Sequence, residues 1–123
     1  MMRVLVVEDI DSMRYLLQFT LEKIPDVVVS GLAANCWEAR QELLRERPDV
    51  VLLDEILPGE SAVDFLKECV QEHELKVILM TGIEKPEHAV PEGALGRMVK
   101  PLGRSLQSDV HQLQKDLKRF LKA

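Results

Sequence analysis

Five polar side chains in this sequence stand where apolar runs end, and their types suit phosphoryl chemistry around a divalent cation. Glu8 and Asp9 follow Arg3-Val4-Leu5-Val6-Val7, and Asp54 closes Val50-Val51-Leu52-Leu53. Thr81 follows Lys76-Val77-Ile78-Leu79-Met80, and Lys100 follows Gly96-Arg97-Met98-Val99. Carboxylates are the hard oxygen donors that magnesium takes, one or two at a time, alongside retained water. A carboxylate is also a nucleophile able to form an aspartyl phosphate. A threonine hydroxyl can donate to a phosphoryl oxygen, and a lysine ammonium can neutralise its charge. Each residue alone has a plain reading. Glu8-Asp9 suits the start of any helix, Asp54 any turn, and Lys100 any surface. Their shared placement favours one acidic site with Asp54 as phosphate acceptor.

The elements that position them follow from periodicity. Continuous runs rich in β-branched residues, such as Val50 to Leu53, read as strands buried on both faces of a parallel sheet. Such a strand opens near Arg3 and another near Val27, which runs toward Ala33. The remaining strands end at Asp54, Thr81 and Val99. Between them lie helical stripes: Met13, Leu16, Leu17, Leu21 and Ile24, then Ala62, Phe65, Leu66, Cys69 and Val70. Asp11 or Ser12 is expected to cap the first helix, and Asn35 with Glu38 resembles a capping box for the second. Ser61 is expected to cap the third helix, and Ser105 or Ser108 to open the last. That helix carries Leu106, Val110, Leu113, Leu117 and Phe120 on its apolar face. Residues 82–96 contain Pro86, Pro91 and Gly93, leaving room for a short or irregular helix at best. The expected fold class is α/β, a doubly wound five-stranded parallel sheet with helices on both faces. Ligands of such sheets bind at the carboxyl ends of the strands.

The chain has 123 residues, suiting one domain over 1–123. Sixteen basic and 21 acidic residues give a net charge of -5 without a basic block, which argues against direct nucleic-acid binding. No apolar run approaches the roughly 20 residues of a membrane span, and no signal peptide is expected before the first strand. Cys36 and Cys69 lack metal spacing and read as core thiols of a cytoplasmic protein. His73, His88 and His111 also lack ligand spacing and read as solvated, Trp37 as packing or partial exposure, and Met80 and Met98 as core.

Taken together, Val-Val-Glu8-Asp9, Leu-Leu-Asp54 with Leu57-Pro58-Gly59, Met-Thr81-Gly82 and Val-Lys100-Pro101 resemble the receiver domain of two-component response regulators. The resemblance covers essentially the whole chain. Val29-Ser30-Gly31-Leu32-Ala33-Ala34-Asn35 is loosely similar to receivers attached to chemotaxis methylesterases. The resemblance implies a flavodoxin-like (β/α)5 fold with strand order 2-1-3-4-5. It implies transfer of a phosphoryl group from a sensor histidine kinase or phosphotransfer protein to Asp54, with Thr81 and Lys100 sensing it. It implies magnesium, or manganese in its place, on Asp9 and Asp54 directly, on Glu8 through water, and on the main-chain carbonyl of Ile56. Two carboxylates about 4 Å apart repel by roughly 4 kcal/mol at an effective dielectric of about 20, which a dication and Lys100 would relieve. It further implies a cis peptide before Pro101 and a downstream protein or output domain. The domain would catalyse its own phosphorylation and dephosphorylation without being a conventional enzyme.

Four residues or segments depart from the family pattern. Ala62 replaces a common glycine. Arg97 takes the place of an aromatic ring that turns inward on phosphorylation, and is expected to stay outside at the switch or partner face. Residues 82–96 are about one helical turn short relative to the family. Ile56 and Ile83 border the path of an attacking water and cannot orient it, so slow self-dephosphorylation is expected. A receiver-like interaction scaffold indifferent to phosphorylation is the competing reading. An aspartate-based phosphatase fits poorly because Ile56 stands where a second acid is needed, and flavin binding fits poorly with the acidic loop after the first strand. The sequence leaves open whether the receiver stands alone or is a fragment of a longer regulator.

Overall fold

The computed structural model describes residues 1–82 and 89–122. The elements run β1 (Met2–Val7), α1 (Asp11–Leu21), β2 (Val27–Ala33), α2 (Cys36–Arg45), β3 (Val50–Asp54), α3 (Ala62–His73), β4 (Lys76–Thr81), β5 (Gly96–Val99) and α4 (Leu106–Phe120). The five strands form one sheet in the order β2-β1-β3-β4-β5, with every neighbouring pair parallel. The order 2-1-3-4-5 and the flavodoxin-like architecture are those expected.

Alternation along the strands divides the core into two layers. Val4, Val6, Leu52, Met80 and Met98 face one side and pack against Leu17 and Leu21 of α1 and Leu113 and Leu117 of α4. Leu5, Val7, Leu53 and Leu79 face the other and pack against Ala39 of α2 and Phe65, Leu66 and Cys69 of α3. Val50 to Leu53 are fully buried, as a strand covered on both faces requires. Arg40 pairs with Glu60 and Glu68 and lies 5.2 Å from the centre of the Phe65 ring, tying α2 to α3.

The caps follow the sequence in three helices. Asn35 accepts from the Glu38 amide at 2.8 Å, while Glu38 accepts from the amide of Ala34, the residue before the cap, at 2.8 Å, a variant of the capping box. Ser61 and Ser105 cap α3 and α4 by accepting from Asp64 and Ser108. The first helix differs. Its N-cap is Ile10, which makes no side-chain cap bond, and Asp11 is instead held by Arg14 at 2.6 Å. The Ile10 amide donates to the Glu8 carboxylate at 2.9 Å, so a residue of the acidic site satisfies this helix entrance.

The expected short or irregular fourth helix, with Ile83 and His88, falls largely on residues 83–88, outside the described residues. Residues 89–95 are not helical; a turn at Glu92-Gly93 leads into β5. Gly93 has φ 100°, a conformation L side chains rarely adopt. Among the described residues no helix is long and apolar enough to cross a membrane.

Candidate functional site

Register alone brings the polar residues together. Val7 pairs with Leu53, which sets Glu8 level with Asp54 on the neighbouring strand. Asp54 pairs with Met80, Met80 with Met98, and Thr81 with Val99. Glu8, Asp54 and Lys100 each stand two residues beyond a buried residue of the same core layer: Val6, Leu52 and Met98. The period of two therefore continues their side chains along one face of the sheet. The Lys100 amide donates to the Thr81 carbonyl at 2.8 Å, fixing the β5 exit against the end of β4.

Lys100 Nζ is the cation of this cluster. It lies 3.0 Å from Asp54 Oδ2 and 2.6 Å from Glu8 Oε1. Glu8 is completely buried and Asp54 is 4% exposed, so these charges meet largely away from water. Burial pushes the Glu8 carboxyl above its usual range, against the opposing pull of Lys100 and the Ile10 amide. Burial alone would depress the Lys100 ammonium. Contacts with Glu8 and Asp54 outweigh it and hold the group above its ordinary value. The second Asp54 oxygen, Oδ1, accepts from the Ile56 amide at 3.0 Å, which orients the carboxylate.

A cavity of about 460 Å³ opens at this edge of the sheet, lined by Asp9, Asp54, Glu55, Ile56, Thr81, Arg97 and Lys100 among others. Glu8 is absent from that lining, so a ligand entering the cavity meets Asp9 and Asp54. Glu8, Asp9 and Asp54 each offer a carboxylate oxygen, and the three lie within 4.8 Å of one another. Glu8 Oε1 is buried and faces the Lys100 ammonium at 2.6 Å. An oxygen-only, strongly anionic donor set fits a hard divalent cation such as magnesium or manganese. Carboxylates, a hydroxyl and an ammonium thus share one crevice.

Two expectations change. The Lys100–Pro101 peptide is trans, since no cis bond occurs among the described residues. Trans is favoured before proline by about 0.5–1 kcal/mol, and Lys100 reaches both acids from it. Arg97 does not stay outside. Its side chain is 8% exposed and pairs with both oxygens of Glu55, the residue after Asp54, while donating to the Ala89 carbonyl at 3.3 Å. A buried guanidinium needs such partners, and Glu55 supplies the charge.

Sequence reasoning missed Glu55 and Arg14. Arg14 donates to the carbonyls of Glu8 at 3.0 Å and Asp9 at 3.5 Å, bracing the loop that presents both acids. Glu55 was findable: an acid next to Asp54 and an arginine two strands away share the opposite face from Asp54. Trp37 is 67% exposed and Met80 and Met98 are buried, while His73 and His111 are exposed.

Comparison with known proteins places this geometry in a family. The sequence profile of the response regulator receiver domain matches residues 4–110. A protein-glutamate methylesterase/protein-glutamine glutaminase of Rhizobium etli is 36% identical over 104 residues, covering 80% of this chain but only 30% of that protein. The response regulator domain of Thermotoga maritima CheB superposes with a TM-score of 0.82 at 25% identity, covering 99% of this chain and 97% of that one. The response regulator TrrA of Thermotoga maritima, solved in complex with Mg(2+)-BeF, gives a TM-score of 0.77 at 25% identity over 98% and 99% of the two chains. With its sheet order, its acid-lined crevice and this match along most of its length, the chain belongs to the response regulator receiver domain family of two-component signalling.

Proposed function

We propose that Asp54 accepts a phosphoryl group from a phosphohistidine of a sensor histidine kinase or phosphotransfer protein, and that Thr81 and Lys100 read its arrival. The observation that carries this reading is Asp54 itself, a carboxylate held at one oxygen by the Ile56 amide and at the other by Lys100, on the wall of an open crevice. An Asp54 oxygen attacks phosphorus, the new P–O bond forms, and the imidazole nitrogen leaves with the electron pair of the broken P–N bond. The oxygens of Asp9 and Asp54, the Ile56 main-chain carbonyl, and Glu8 at greater distance are the groups we assign to a magnesium or manganese ion. Such an ion supplies neutralisation of the charge on the transferring group. TrrA, a relative solved with Mg(2+)-BeF, supports that assignment.

Lys100 moves little to serve the product: its ammonium already lies 3.0 Å from the acceptor carboxylate and can follow the phosphoryl oxygens. The Thr81 hydroxyl stands at the end of β4 on the same crevice and can donate to another. Drawing Thr81 inward shifts the exit of β5 through the Lys100–Thr81 backbone bond. That is local charge biasing a packed element, the usual form of such switches. The downstream target is a protein or an output domain; the matched segment covers only 30% of a methylesterase relative, which leaves room for one.

The test is labelling of the intact chain by acetyl phosphate with magnesium, followed by intact-mass measurement. One added phosphoryl group, lost in Asp54→Asn and in chelator, supports the proposal. An unlabelled wild-type chain would favour a receiver-like scaffold that binds partners without phosphorylation.

A further inference from the structure

The Arg97–Glu55 pair has no part in the chemistry above, yet it lies across the same crevice. Arg97 sits in β5 opposite Leu79 of β4, and Glu55 directly follows the acceptor at the end of β3. Because β4 runs between those strands, the pair spans the carboxyl end of β4 at Met80-Thr81. The guanidinium engages both Glu55 oxygens, through Nε and through Nη2 at 3.0 Å for the latter. The Arg97 side chain is 8% exposed and that of Glu55 27%, and both line the cavity with Asp54. The contact fastens the acceptor loop to the edge strand.

We propose that Arg97 is a positioning residue that exchanges Glu55 for the phosphoryl group on Asp54, so that phosphorylation unfastens the acceptor loop from β5. The proposal rests on the phosphoacceptor reading and adds a sensing residue to it. A phosphoryl group carries roughly two negative charges at neutral pH and presents three acceptor oxygens. Arriving on the residue next to Glu55, it repels that carboxylate and offers the guanidinium a more highly charged partner. The planar fork of arginine fits a phosphoryl group as well as it fits a carboxylate, in two parallel hydrogen bonds. No covalent bond changes; one ion pair is traded for another. Arg97 also donates to Ala89, which lies in the segment leading into β5, so the exchange displaces that segment as well. Lys100 works from the face that carries Glu8, and Arg97 from the opposite one, so the phosphoryl group is gripped from both sides of the sheet edge.

The test combines variants with a spectroscopic signal in the full chain. Arg97 Nε–Hε is assigned by nitrogen-15 correlation spectra through its loss in Arg97→Lys, and followed during labelling with acetyl phosphate and magnesium. The exchange predicts a shifted Arg97 resonance on labelling. It predicts that Glu55→Gln labels roughly two- to fivefold faster, the scale of a partly exposed ion pair that no longer competes. Arg97→Gln slows labelling, and Arg97→Lys falls between it and wild type. A labelled chain whose Arg97 resonance stays put, with Glu55→Gln labelling at the wild-type rate, overturns the exchange but leaves the acceptor reading intact. A wild-type chain that takes no label overturns both. The resonance and Glu55→Gln keep the test decisive even if Arg97→Gln folds poorly.

Discussion

Replacing Lys100 by methionine removes the ammonium that contacts both Glu8 and Asp54, and the structure sets the scale of the loss. At 2.6 and 3.0 Å, an effective dielectric of about 20 gives gross attractions of roughly 6 and 5 kcal/mol. Most of that is offset by the desolvation of three buried charges. Removing one partner of a buried ion pair costs about 3–5 kcal/mol, because the remaining charges stay buried. Glu8 can escape part of the penalty by taking up a proton, since burial already raises its carboxyl. We therefore expect Lys100→Met to lose about 3 kcal/mol in chelator at neutral pH, the low end of that range. For a domain of this size that is a fall in melting temperature of roughly 10 °C. Millimolar magnesium should raise the melting temperature of the variant more than that of the wild type, because a dication on the acids no longer competes with Lys100. The assay is thermal unfolding by circular dichroism, in chelator and in magnesium. A variant melting within about 2 °C of wild type in chelator, with the same magnesium response, would refute the reasoning.

Three further outcomes follow from the same geometry. Cys36 and Cys69 are buried, and burial pushes their thiols up to about 11 and about 12, so neither should react with a thiol reagent at pH 8 until the chain is unfolded. Ile56 is 83% exposed at the crevice and offers no group to orient water, so Ile56→Asn should shorten the lifetime of phosphorylated Asp54, measured as decay of the label. Asp116 is buried against Gln112, and burial raises its carboxyl above its ordinary value. The folded state then binds the proton more tightly than the unfolded one, so stability declines as pH rises from about 4 through the folded value. Asp116→Asn should thus be more stable than wild type at pH 7 in urea titrations, with the advantage shrinking as pH falls toward 4; an unchanged difference across that range would contradict it.

The sheet was legible because buried parallel strands are written as unbroken apolar runs, as in Val50 to Leu53. The site was legible because each run ends on a polar residue of suitable chemistry. Asparagine and serine caps were readable from local spacing. The first helix was not, since its entrance is satisfied by Glu8, just past the preceding strand, rather than by Asp11. Arg97 was misplaced for a related reason. Its partner is 42 residues away in sequence, and only the register of three strands shows that Glu55 awaits it. A cis peptide before Pro101 rests on resemblance alone, with no local signal behind it, and the bond is trans.

The most direct measurement of the central claim is chemical mapping of the acceptor. The chain is incubated with a histidine-phosphorylated kinase and magnesium, then reduced with borohydride, which converts an aspartyl phosphate to homoserine, and its peptides are sequenced by mass spectrometry. The account predicts homoserine in place of Asp54, and none when magnesium is chelated. Homoserine at another aspartate, hydroxynorvaline at a glutamate, or phosphate on a serine, threonine or histidine of this chain with Asp54 intact, would contradict it.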